Sequence, residues 1–136
     1  MDYIKQSLEI EGIHRKPLQK EIDEFERFMA LDVVTVEELE RFVFVYQRNA
    51  KLRRKGEKVR IDDYVPPTTL VEIRLRNLLL ITDPYACHIQ YELLHPFTDC
   101  NGRSGRMLWY WQMRNREHRD FLTEFYFQTV GRAQCK

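Results

Sequence analysis

A mostly helical single domain is predicted from three features of these 136 residues. Apolar side chains recur at helical spacing through most of the chain, Thr-x-x-Glu and Asp-Pro pairs stand where several stripes begin, and only five Gly and five Pro interrupt them. No repeat or low-complexity tract divides the chain, and its length suits one domain with a real core.

Residues 2 to 11 suit a short helix with Ile4, Leu8 and Glu11 roughly along one side, stopped by Gly12. From Leu18 to Leu31, apolar residues at 18, 22, 25, 28, 29 and 31 form a stripe with charges opposite, which predicts a core helix. Thr35 with Glu38 forms a capping-box pattern ahead of Leu39, Phe42, Val43 and Tyr46. The β-branched and aromatic run 42–46 also permits a strand, but cap and length favour helix. Lys51-Leu52-Arg53-Arg54-Lys55 reads as a solvated, basic helix end without a binding role. Between Gly56 and Pro66-Pro67, Val59, Ile61 and Tyr64 are mixed among charges, which suits a short extended element or hairpin.

Thr69 with Glu72 is a second capping-box pattern, and Leu70, Ile73, Leu75, Leu78, Leu79 and Ile81 predict another core helix. Asp83-Pro84 starts the next one, with Tyr85, Ile89 and Leu93 on one side and His95 at its end. After Arg103, Met107, Leu108, Trp109, Tyr110, Trp111 and Met113 are apolar almost all round, so this helix should run through the middle of the protein. Phe121 to Phe127 predicts a final helix over the core, and Gly131 to Lys136 a frayed end.

The 22 basic and 21 acidic side chains leave a formal charge of +1, which offers no overall field for nucleic acid or a membrane surface, and neither is expected as a partner. No apolar run reaches the length of a membrane span, and the first residues are partly acidic where a secretory signal is apolar, so a cytoplasmic protein is expected. Cys87, Cys100 and Cys135 are odd in number and lack metal-type pair spacing, so free thiols are expected. His88, seven residues before His95, is at no usual ligand spacing and is assigned to structure. A homo-oligomer is left open.

The chemistry concentrates in His95-Pro96-Phe97-Thr98-Asp99-Cys100-Asn101-Gly102-Arg103-Ser104-Gly105-Arg106. Pro96 and the run 99–102 break regular structure between two apolar helices, giving helix, loop, helix. A loop feeding a helix N-terminus offers backbone N–H groups and the positive dipole end to a phosphate. Arg103 and Arg106, three apart, would share a face and add forked donors. Asp99 is the loop's one carboxylate, enough for a phosphate-bound Mg²⁺, and His95 stands at the rim where an imidazole can take a proton from a hydroxyl. The set spells nucleotidyl or phosphoryl transfer.

These twelve residues resemble the signature of the Fic family, His-Pro-Phe-x-(Asp/Glu)-Gly-Asn-Gly-Arg-x-x-Arg. Eleven of the twelve positions fit, and Cys100 stands where the family has Gly. The resemblance implies a compact Fic-type helical domain over 1–136 and a protein adenylyltransferase, which moves AMP from ATP to a Ser, Thr or Tyr hydroxyl of a target protein. It implies His95 as general base, Asp99 as Mg²⁺ ligand and Phe97 as core anchor. Cys100, Asn101, Gly102 and Arg103 would hold the phosphates, with Arg106 on the γ-phosphate. Cys100 is strained if the position needs a positive φ; if only its N–H matters, the side chain is nearly free, and this second reading is preferred.

Ser7-Leu8-Glu9-Ile10-Glu11-Gly12 taken alone is a solvated helix end. It also resembles the family's inhibitory pattern, (Ser/Thr)-x-x-x-Glu-(Gly/Asn), so Ser7, Glu11 and Gly12 within residues 1–13 are expected to form an inhibitory helix whose Glu11 occupies Arg106. The segment 56–67 stands where the family has a β-hairpin flap, so Lys58, Val59, Arg60 and Ile61 are expected to pair with an extended stretch of the target.

Three other readings stand beside this one. Some family members transfer other nucleotides, phosphocholine or phosphate, or remove AMP. Cys100 could be a thiol nucleophile with His95 as its base, a reading that leaves Asn101, Arg103 and Arg106 without jobs. A non-enzymatic nucleotide-binding or interaction module would need none of His95's chemistry.

Overall fold

The computed structural model describes residues 3–59 and 63–116, and six helices carry most of them. They are α1 (Tyr3–Ile10), α2 (Gln19–Met29), α3 (Val36–Tyr46), α4 (Val71–Leu78), α5 (Pro84–Leu94) and α6 (Asn101–Gln112). The mostly helical class predicted from periodicity is the one observed. No helix among the described residues is long and apolar enough to cross a membrane. The expected final helix at 121–127 and frayed end at 131–136 lie outside the described residues, as does Cys135.

Helix α6 is the hub, buried continuously from Arg103 to Tyr110 and packed against α1, α2, α3 and α5. Its tightest neighbour is α5: a Cβ on Gly105 would stand 3.0 Å from the Tyr91 ring, and the Tyr91 hydroxyl meets Ser104 Oγ at 2.7 Å. Glycine at 105 therefore lets the two helices that flank the loop close on each other. The Phe42-to-Tyr46 run is helix, as its cap predicts: Glu38 N–H donates to Thr35 Oγ1, and Val36, Leu39, Phe42, Val43 and Tyr46 face the core. Asp83 likewise caps α5 by accepting the Ala86 N–H, with Pro84 in the first turn.

Four expectations fail locally. Leu18 is 44% exposed, because it sits in extended backbone ahead of α2; Glu21 takes the interior position, held by Arg15 at 2.9 and 3.0 Å and by the Leu18 N–H at 2.7 Å. Thr69 caps nothing. Helix α4 begins after Leu70, whose φ is +57°, and it buries Val71, Leu75 and Leu78 while Leu70 and Ile73 face outward. Val71 supplies the i, i+4, i+7 phase that Ile73 cannot join. In α5 the stripe Tyr85, Ile89, Leu93 is the exposed one, since the alternative phase, Cys87, Tyr91 and Leu94, packs inward. The run 51–55 is not a helix end: α3 stops at Tyr46, residues 51–53 run beside the 95–98 turn, and Arg53 is only 3% exposed.

No strand forms among the described residues. Leu52 and Phe97 make an isolated antiparallel bridge, flanked by Thr98 N–H to Lys51 O (2.8 Å) and Arg53 N–H to Pro96 O (2.9 Å). The described ends of 56–67 are fastened through backbone carbonyls: Glu57 O and Pro67 O both accept from Arg53. Arg60 and Ile61 lie outside the described residues.

Candidate functional site

The loop from His95 to Cys100 is fixed at both ends by residues in left-handed backbone. His95 ends α5 at φ +50°, and Cys100 precedes α6 at φ +70°. Between them Asn101 clips the turn shut, its Oδ1 accepting the Phe97 N–H and its Nδ2 donating to Phe97 O, both at 2.8 Å. Phe97 is fully buried, the anchor its position predicts. Because the Asn101 amide is occupied by the loop, what this residue offers outward is its main-chain N–H. The N–H groups at 101–103 start α6 and have no carbonyl within the helix to receive them, and they converge with the positive helix end.

Arg103 is buried in that first turn, and its Nε finds no hydrogen-bond partner among the described residues. Its Nη2 stands 3.9 Å from Asp99 Oδ1, too far for a firm ion pair. Asp99 itself is 61% exposed at the side chain and accepts the Cys100 N–H at 2.7 Å. Cradle, guanidinium and carboxylate thus share one edge of the α6 start.

Cys100 corrects the preferred sequence reading. The position does take a positive φ, so the side chain is not free there; it is also 3% exposed. Burial pushes the thiol up to about 12, which leaves essentially no thiolate near neutral pH and disfavours the nucleophile reading.

Helix α1 reaches across to the far side of the cradle. Arg106, 3% exposed, donates from Nε to Ser7 Oγ (3.2 Å) and from Nη2 to Ser7 O (3.1 Å) and Glu11 Oε2 (2.7 Å). Tyr3, Ile4 and Leu8 are buried on the same face of α1 as Ser7. Gly12, at φ +77°, stops the helix with its N–H on Glu9 O, leaving Glu11 in the last turn. Gly102 completes the fit: a Cβ there would overlap the Glu11 carboxylate and lie 2.8 Å from Arg106 Nη1. Residues 95 positions apart are therefore brought together at one guanidinium.

Lys58 is exposed and Val59 half-buried, and their segment connects to the loop through Arg53, whose Nε donates to His95 O at 2.7 Å. Sequence reading missed Arg53 because a run of cations looks solvated.

His88 is buried with Nε2 3.7 Å from Glu92 Oε1, in keeping with a structural role, and no cluster of three or more metal-type ligands occurs among the described residues. A groove of about 570 Å³ between α4 and α5 is lined by Arg74, Leu78 and Ile89 and touches none of the loop residues. No protein-family profile, no curated protein and no solved structure matches this chain.

Proposed function

We propose that this chain is a Fic-type protein adenylyltransferase that carries its own brake. The observation that carries the reading is the closure of Ser7 and Glu11 on Arg106, the last residue of the signature, by a helix from the other end of the sequence. Two patterns found separately in the sequence meet at one guanidinium.

In this reading ATP lies with its phosphates on the N–H groups at 101–103 and on Arg103, where the orphaned Nε awaits an acceptor. A target hydroxyl attacks the α-phosphorus; the new O–P bond forms as the bond to the β-phosphate oxygen breaks, pyrophosphate leaves, and His95 takes the hydroxyl proton. Asp99, exposed and oxygen-bearing, fits a Mg²⁺ held by one carboxylate, phosphate oxygens and water, and the ion would offset phosphate charge. Glu11 competes with the γ-phosphate for Arg106, so the resting chain turns over slowly.

The test is label transfer in a cell lysate with Mg²⁺ and α-labelled ATP, UTP, GTP or CTP. Glu11→Gly should label proteins more than wild type, and Glu11→Gly/His95→Ala should not. Equal labelling by wild type and Glu11→Gly with every nucleotide would remove the brake; label surviving in the double variant would remove the base.

A further inference from the structure

Beyond the signature and its brake, one buried cation is unaccounted for. Arg53 makes four side-chain bonds, all to backbone carbonyls: Nε to His95 O (2.7 Å), Nη2 to Leu94 O (2.7 Å) and Pro67 O (2.8 Å), and Nη1 to Glu57 O (2.9 Å). Two of these acceptors end α5 and hold the proposed base; the other two bracket the segment proposed to receive the target. Among the described residues no carboxylate comes within ion-pair distance of the guanidinium; four carbonyl dipoles answer its charge, with the Glu57 carboxylate acting from further off. The planar fork is what allows one side chain to span four acceptors on three pieces of chain.

We infer that Arg53 is a positioning residue that sets His95 relative to Glu57 and Pro67, the described ends of the segment proposed to receive the target; the inference rests on the adenylyl-transfer reading. The His95 N–H closes on Tyr91 O at 2.9 Å, and Arg53 adds a second hold on the same residue at its carbonyl, from outside the helix. That second hold gives the docking segment the same origin. A shift of this tie moves the base relative to the incoming hydroxyl while the phosphate cradle on α6 stays in place. The effect belongs on turnover, not on nucleotide affinity.

Two measurements on the whole chain test this, both in the Glu11→Gly background. Lysine at 53 keeps the charge and loses the fork. First, hydrogen exchange: Arg53→Lys should speed exchange at 57–59, 64–68 and 95–98 together while α1 and α6 keep their protection. Unchanged exchange at either the 57–68 or the 95–98 amides overturns the tie, whatever the activity. Second, label transfer to lysate protein: the rate at saturating ATP should fall about tenfold or more, with the apparent KM for ATP within about twofold. An unchanged rate, or a rate and ATP affinity that fall together, overturns the positioning role. Should Arg53→Lys not fold, Thr98→Ala decides by the same split, since it removes the Lys51 N–H to Thr98 Oγ1 bond (3.0 Å) beside the tie; a fall in rate of about threefold at constant KM for ATP is expected there, and no fall overturns the role. If Glu11→Gly itself labels nothing, the adenylyl-transfer reading fails, and the exchange measurement still decides whether the tie exists.

Discussion

Arg53 and Arg106 are both 3% exposed, yet they are satisfied in opposite ways. Arg53 is surrounded by four main-chain carbonyls that belong to the fold and cannot leave it. Arg106 is held by the hydroxyl and carbonyl of Ser7 and by the carboxylate of Glu11, which is 35% exposed at the end of an eight-residue helix. Burial draws the Arg53 guanidinium below its usual range, a sign that carbonyl dipoles only partly replace water. The difference separates a guanidinium that builds the site from one that an anion can claim. At Arg106 a competing anion would need to displace one carboxylate, 35% exposed; at Arg53 it would meet only main-chain carbonyls.

The largest expected effect breaks the Arg53 side of this comparison. Arg53→Ala strands four carbonyls, two of them at the end of α5, and should cost about 3–5 kcal/mol in urea unfolding. A loss under about 1 kcal/mol would mean that water reaches those carbonyls and that Arg53 is not structural. Glu11→Gln, by contrast, removes charge from a pair one-third exposed and should cost no more than about 1 kcal/mol.

The comparison is sharpened by Gly102. Both atoms that a Cβ there would strike, the Glu11 carboxylate and Arg106 Nη1, are the ends of flexible side chains, so they yield before the backbone does. Gly102→Ala should therefore cost a net of about 0.5 kcal/mol in the wild type, since the disrupted pair outweighs what Ala gains over Gly in a helix. In the Glu11→Gly background it should instead stabilise by about 0.5 kcal/mol, because Ala replaces Gly inside the first turn of α6. A change of sign across this cycle is the mark of direct coupling. Equal effects in both backgrounds would place Glu11 elsewhere in solution.

Which parts were legible follows the same division. The helices with real caps, α3 and α5, could be read because Thr35 and Asp83 act locally, within three residues. The meeting of Ser7 and Glu11 with Arg106 could be read because residue types at fixed spacing carry it: Ser7 lies in α1 with Glu11 just past its end, and Arg103 and Arg106 lie three apart in α6. Helix α4 was misphased because Thr69-x-x-Glu72 has a capping pattern without a cap; Leu70 at φ +57° sets the start instead, and nothing in the run marks that. Arg53 was invisible for a deeper reason. Its partners are carbonyls at 57, 67, 94 and 95, which every residue possesses, so no side-chain pattern could name them.

Cys100 gives the smallest and cleanest effect, since it asks whether the loop between the two arginines is under strain at all. Its φ of +70° costs an L-residue roughly 1–2 kcal/mol, against roughly 0.5–1 kcal/mol of extra chain entropy that glycine loses on folding. Comparing glycine with cysteine mixes this term with the packing of a buried thiol. Comparing Cys100→Gly with Cys100→Ala does not, because both lack the sulfur and differ by the Cβ that meets the backbone. Cys100→Gly should be more stable than Cys100→Ala by about 0.5 kcal/mol in parallel urea titrations. If alanine is equal or better, the left-handed turn relaxes in solution, and the N–H groups that follow it lose the fixed direction that a phosphate cradle requires. If glycine is better, the sequence keeps a strained residue at a buried loop position, where its thiol, pushed up to about 12, is chemically quiet.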